Sequence, residues 1–126
     1  MAHVMIVDDD PTTRSFLRDV LVKLFSHRVT EASSIEQGLD HVRASCPDLI
    51  LLDRHLPDGT ALEFCQRLSR FQAASEVPKW LITGEKPLAW DAGFWKRFNV
   101  QGVLVKPFCI DLIDHIVHQC LQESAV

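Results

Sequence analysis

Positive charge is in short supply: 13 lysines and arginines face 17 aspartates and glutamates, leaving a net charge of −4. Nucleic-acid surfaces draw their non-specific affinity from basic patches, so this balance argues against one. Long apolar runs are missing too. No stretch approaches the roughly 18 residues that a membrane span needs, and Met1-Ala2-His3-Val4 has neither the charged nor the apolar region of a signal peptide. These absences set the expectation of a cytoplasmic protein without membrane attachment. Cys46, Cys65, Cys109 and Cys120 form no C-x-x-C pair, and each falls beside an apolar helical face. Reduced core thiols are the corresponding expectation. No internal repeat, low-complexity tract or linker interrupts the 126 residues, so one compact domain over 1–126 accounts for the chain.

What is present is organised around Asp48-Leu49-Ile50-Leu51-Leu52-Asp53, followed at once by Arg54-His55-Leu56-Pro57-Asp58-Gly59. An apolar run without alternation fits a strand buried on both faces, as in a parallel sheet covered by helices. Ligands of such sheets sit beyond the carboxyl ends of the strands, which places Asp53 at a functional rim.

The rest of the chain repeats this grammar. Residues 4–7 form an apolar strand that runs into Asp8-Asp9-Asp10-Pro11, where Asp10 reads as a helix N-cap before proline at the first helical position. Phe16, Leu17, Val20, Leu21 and Leu24 then recur at helical spacing. Residues 28–32 read as a weaker strand at a sheet edge. Ser33-Ser34-Ile35-Glu36 is a capping-box pattern opening a helix with Ile35, Leu39 and Val42 inward. Thr60-Ala61-Leu62-Glu63 is a second such box, for a helix to about Phe71. Residues 77–82 give a fourth strand ending on Thr83-Gly84. A short helix opened by Pro87 has Trp90, Phe94 and Phe98 on one stripe and Trp95 off it. Residues 100–105 give a fifth strand ending on Lys106-Pro107, and the last helix aligns Leu112, Ile113, Ile116, Val117 and Cys120. Five strands alternating with five helices imply an α/β fold: a parallel sheet with right-handed crossovers.

Polar groups terminate four of the five strands: Asp8 to Asp10, Asp53, Thr83 and Lys106. In a parallel sheet they gather on one rim. Packed carboxylates repel unless a proton or cation intervenes. Oxygen-only ligands at an open site suit Mg²⁺, and a lysine supplies a point charge for an anionic oxygen. Together with a hydroxyl, these groups describe a phosphoryl-transfer site, where positioning and charge neutralisation dominate.

With Asp8-Asp9, Asp53 with Leu56-Pro57, Thr83-Gly84 and Lys106-Pro107-Phe108 in this order, the chain resembles the response-regulator receiver domains of two-component signalling over its whole length. The resemblance implies a flavodoxin-like sheet of order 2-1-3-4-5. It implies that Asp53 is the phosphoacceptor, taking a phosphoryl group from a phosphohistidine of a sensor kinase or phosphotransfer protein. Mg²⁺ would be held by Asp9, Asp53 and the backbone carbonyl of His55, with Asp8 acting through water. Lys106 and Thr83 would hold phosphoryl oxygens, and Thr83 would move in to do so. Phosphorylation adds charge and acceptor oxygens, so contacts that Thr83 and Lys106 make only in the modified state can shift a two-state equilibrium. The coupled face would be the fourth helix, fifth strand and fifth helix, with Trp95 and Val103 as candidate partner residues. That face could also carry a homodimer or meet a downstream output domain or protein.

Three positions depart from the family's pattern. Val103 stands three residues before Lys106, where receivers commonly carry tyrosine or phenylalanine as a rotameric switch. Thr60-Ala61 replaces the usual Asp-Gly, with glycine moved forward to Gly59. His55 and Glu85 flank the phosphoryl position and are expected to tune its hydrolysis.

Two other functions fit part of the pattern. Asp8-Asp9-Asp10-Pro11-Thr12 matches the D-x-D-x-T motif of haloacid-dehalogenase-type phosphatases, with Asp8 as nucleophile, although it leaves Asp53 without a role. A pseudo-receiver, a binding module that takes no phosphate, is kept open by Val103. The receiver reading makes the chain a signalling module, not an enzyme, that either works alone by docking or is part of a longer regulator. His115 and His118 lie three apart on the last helix, but no third metal ligand accompanies them, so solvated histidines are expected.

Overall fold

The computed structural model describes residues 2–71, 73–84, 92–107 and 109–124. Strand β1 (His3–Val7) leads into helix α1 (Pro11–Asp19), which continues as a π-helical turn at Val20–Leu24. Then come β2 (Arg28–Ala32), α2 (Ile35–Ala44), β3 (Leu49–Asp53), a ribbon of β4 (His55–Leu56) and β5 (Gly59–Thr60), and α3 (Ala61–Leu68). The chain finishes with β6 (Lys79–Thr83), α4 (Ala92–Lys96), β7 (Val100–Val105) and α5 (Ile110–Ser124).

The five long strands form one parallel sheet of order β2-β1-β3-β6-β7, which is the expected 2-1-3-4-5 arrangement, with β2 at an edge. Strand alternation divides the core in two. Met5, Val7, Ile50, Leu52 and Leu81 face α2 and α3, while Val4, Ile6, Leu49, Leu51, Ile82 and Leu104 face α1 and α5. All five residues of β1 are buried, because both sheet faces are covered.

Helix starts follow local chemistry. Asp10 caps α1 by accepting from Thr12 N, with proline in the first turn. Thr60 caps α3, accepting from Glu63 N at 3.2 Å. At α2 the capping box sits one residue later than expected: Ser34 is the N-cap and accepts from Gln37 N, while the Gln37 amide oxygen accepts from Ser33 N and Ser33 Oγ.

Several expectations are corrected. Leu24 is 57% exposed, because the π turn carries i→i+5 bonds and rotates it off the stripe of Leu17, Val20 and Leu21. Phe16 and Leu112 are also exposed, each about a quarter-turn from the centre of its helix's buried stripe. Helix α3 ends at Leu68, and Phe71 lies beyond it, packed against the core. Only Cys65 and Cys120 are buried thiols; Cys46 and Cys109 are exposed. Trp95, expected off the buried stripe, is half-buried and packs against the α2/α3 side of the core with Phe98 and Val103. The expected helix start at Pro87, Trp90 and the Phe94 side chain lie outside the described residues. Among the described residues, no helix is long and apolar enough to cross a membrane.

Candidate functional site

The carboxyl ends of β1, β3, β6 and β7 meet at one rim. β1 and β3 pair through Val7↔Leu52, so the residues that follow, Asp8 and Asp53, emerge side by side. β6 and β7 pair through Thr83↔Val105, and the backbone N–H of Lys106 donates to the Thr83 carbonyl at 2.8 Å. The sheet therefore aligns the four groups without help from any long-range loop.

Asp8 is fully buried. A buried carboxylate is costly unless its lone pairs are filled, and here they are. Oδ1 accepts from Asp10 N at 2.8 Å, and Oδ2 lies 3.2 Å from the ammonium of Lys106. Arg14 Nη1 donates to the Asp8 carbonyl at 2.7 Å. Nothing in the spacing of the sequence singled out Arg14 for this contact.

Asp53, at the end of β3, is half-buried, and Asp9 is exposed. Burial pushes the Asp53 carboxyl up to about 6, reinforced by the neighbouring charge of Asp8 and by a hydrogen bond with it. Lys106 and the backbone N–H of His55 oppose the rise. Asp10 belongs to the helix cap, not to the cluster: Thr12 N and Thr13 Oγ1 occupy its oxygens at 2.9 and 3.0 Å, and the Thr12 N–H foremost holds its carboxyl below the usual range.

Asp8, Asp9 and Asp53 can each present one oxygen within 4.8 Å of the others, and among the described residues this is the only acidic or ligating group so arranged. Three carboxylates with one lysine leave negative charge uncompensated. The Asp53 carboxyl is raised by burial first and by the Asp8 charge second, and an all-oxygen donor set suits a hard divalent cation such as Mg²⁺. The residues present therefore fit the ion. His115 and His118 take no part in such a cluster, and His118 Nδ1 lies 3.0 Å from Asp114 Oδ1 as a surface pair.

His55 opens β4 directly beyond Asp53 and is exposed, and Thr83 is buried at the end of β6. Glu85 lies outside the described residues. Val103 is half-buried on β7, against the same side of the core as Trp95. An apolar groove of about 370 Å³ runs beside the site, lined by Thr12, Thr13, Phe16, Lys106 and Pro107. The Lys106-Pro107 peptide is cis.

Comparison with known proteins agrees with this arrangement. The family model of the response regulator receiver domain matches residues 4–118. The KDP operon transcriptional regulatory protein KdpE of Escherichia coli is 36% identical over 115 residues, covering 87% of this chain and 47% of KdpE. The chemotaxis protein CheY of Bacillus subtilis is 25% identical over 122 residues, covering 96% of this chain and 99% of CheY. The chain thus spans about half the length of KdpE and nearly all of CheY. Among solved structures, a putative response regulator from Chloroflexus aurantiacus superposes with a TM-score of 0.84 at 24% identity, covering 96% of this chain and 98% of that one, a likeness of fold. The five-stranded order, the acidic rim and the match across residues 4–118 lead to one conclusion: the chain belongs to the response regulator receiver domain family of two-component signalling.

Proposed function

We propose that the chain accepts a phosphoryl group on Asp53 from a phosphohistidine of a sensor histidine kinase or phosphotransfer protein, and uses the modification to switch a protein-interaction face. The observation that carries this reading is the convergence of Asp8, Asp9 and Asp53 within 4.8 Å, with Lys106 held at Asp8.

An Asp53 carboxylate oxygen attacks phosphorus, the P–N bond of the donor breaks, and the imidazole leaves with the bonding pair and takes up a proton. Attack needs the ionised form of Asp53, whose carboxyl stands near 6, so it is populated at neutral pH. Mg²⁺, held by Asp9, Asp53 and the His55 carbonyl with Asp8 through water, would offset charge on the phosphoryl oxygens. Lys106 pairs with one of those oxygens, and the Thr83 hydroxyl turns to another. Both contacts exist only in the modified state, which gives phosphorylation a differential hold on β6 and β7. The adjoining face of α4, β7 and α5, with Val103 and Trp95, is the partner surface, open to an output domain, a separate protein or a second copy of the chain.

Burial also favours Asp53 over Asp8 as the nucleophile. Both Asp8 oxygens already have partners and the residue is fully buried, whereas Asp53 is partly exposed. The test is incubation with acetyl phosphate and Mg²⁺, read by intact mass. A gain of one phosphoryl group that Asp53→Ala abolishes supports the reading. A label that survives in Asp53→Ala and disappears in Asp8→Ala returns the phosphatase-type assignment, and no label in any form leaves a pseudo-receiver.

A further inference from the structure

The ribbon that follows Asp53 is anchored to a helix far from it in sequence. β4 and β5 pair as His55↔Thr60 and Leu56↔Gly59, and Pro57-Asp58 closes the turn. From that turn the Asp58 carboxylate reaches α2: Oδ1 accepts from Ile35 N at 2.9 Å and Oδ2 from Glu36 N at 3.2 Å. These are the first two N–H groups of α2, and the next, Gln37 N, is taken by Ser34. A helix start leaves such donors without intrahelical partners, and its dipole favours an anion there. Asp58 thus completes the cap that Ser34 begins.

The tip of the ribbon is pressed against the same helix. Gly59 has φ +153°, and a Cβ added there would meet Ile35 Cδ1 at 2.8 Å and Glu63 Oε2 at 2.5 Å. At its base, Ala61 N donates to the Arg54 carbonyl at 3.0 Å. The ribbon is therefore held at its base by its own backbone and at its tip by Asp58 on α2. His55, whose carbonyl would join Asp9 and Asp53 in holding Mg²⁺, lies between the two anchors.

We propose that Asp58 is a positioning residue for the metal site: its grip on α2 fixes the ribbon so that the His55 carbonyl stays aligned with Asp9 and Asp53. This inference rests on the phosphoacceptor reading above. Groups that orient a metal ligand without touching the ion commonly govern affinity by one to two orders of magnitude.

The test is calorimetric titration of the whole chain with MgCl₂, beside its thermal midpoint, for wild type, Asp58→Ala, Asp58→Asn and Ser34→Ala. Ser34→Ala removes the cap bond to Gln37 N, which does not itself touch the ribbon, and keeps the Asp58 carboxylate that grips Ile35 N and Glu36 N. It therefore reports the effect of helix fraying with the anchoring side chain in place. Asp58→Ala is expected to weaken Mg²⁺ binding about tenfold, with Asp58→Asn intermediate because its amide oxygen still accepts one N–H. Ser34→Ala is expected to lower the midpoint while leaving the Mg²⁺ affinity at the wild-type value. Equal affinity in Asp58→Ala and wild type overturns the proposal, as does an equal loss in Ser34→Ala. Failure of the wild type itself to bind Mg²⁺ is a separate result, which removes the metal-dependent reading and this inference with it.

Discussion

The indole of Trp80 on β6 lies directly over Gly102 on β7, its strand partner, at a distance that no side chain on residue 102 could share. A Cβ at that position would come within 2.6 Å of Trp80 Cζ3 and 2.7 Å of Cη2. The ring is rigid and packs against the α1/α5 side of the core, so it has no flexible end to withdraw. Gly102→Ala is expected to destabilise the fold by about 1–3 kcal/mol, the usual range for overpacking. Urea unfolding of Gly102→Ala, Trp80→Leu and the double mutant checks this: in the double mutant the penalty at residue 102 should largely vanish.

The raised Asp53 carboxyl makes stability depend on pH with a definite sign. Its folded value, about 6, lies above the ordinary 3.8, so the folded state binds the proton more tightly than the unfolded chain. Below pH 4 both states are protonated and Asp53 is neutral in its effect. As pH rises from about 4 to about 6, folding increasingly requires an unfavourable ionised carboxyl, and stability falls. Asp53→Asn removes that cost. It is expected to raise stability at pH 7.5 by about 1–2 kcal/mol, less than the full shift implies because water screens a partly exposed group. The gain should shrink towards zero at pH 4. Thermal melts at both pH values provide the check.

Magnesium should act in the same window. A cation bound among Asp8, Asp9 and Asp53 competes with the proton on Asp53, whose carboxyl is pushed up to about 6, so its stabilising effect grows as Asp53 ionises. At ten times its dissociation constant, Mg²⁺ should raise stability by about 1.4 kcal/mol at pH 7.5. At pH 4.5 the same concentration should have little effect. A midpoint raised equally at both pH values would place the ion elsewhere.

Lys79 at the start of β6 is 1% exposed, and its Nζ donates to the carbonyls of Val77 at 2.8 Å and Phe98 at 2.6 Å. Burial lowers its pKa, and the nearby Cys65, Glu76 and Cys46 only partly oppose the shift. Its backbone N–H also holds the Asn99 carbonyl at 3.0 Å, so one residue ties the chain leaving α4 to the sheet. Lys79→Ala strands two carbonyls and leaves a cavity, for an expected loss of about 2–4 kcal/mol. Chemical denaturation measures the loss. A loss below about 1 kcal/mol would mean that water takes over both acceptors.

His55 and Glu85 remain the residues expected to tune the lifetime of the aspartyl phosphate. Replacing both should change the rate of label loss after the donor is removed, followed by intact mass over time. A half-life equal to that of the wild type refutes the assignment.

Much of this molecule was written in short-range pattern. Uninterrupted apolar runs at residues 49–52 and 4–7 fit a strand covered on both faces, and a two-sided parallel sheet collects its strand ends at one rim. Asp8, Asp9, Asp53, Thr83 and Lys106 were legible as a group for that reason, and the caps at Asp10 and Thr60 because a helix start needs an acceptor within three residues. What only the tertiary structure decided involves partners distant in the chain or a change of helical phase. The π turn at Val20–Leu24 moves Leu24 into solvent, although its spacing is that of a buried residue. Trp95 lies against the core because Phe98 and Val103 come to the same side of the sheet. Asp58 meets α2 across more than twenty residues, and Lys79 finds its acceptors only where the chain leaving α4 returns to β6. Periodicity reports which face a residue occupies on its own element, and it carries no information about what another element brings to that face.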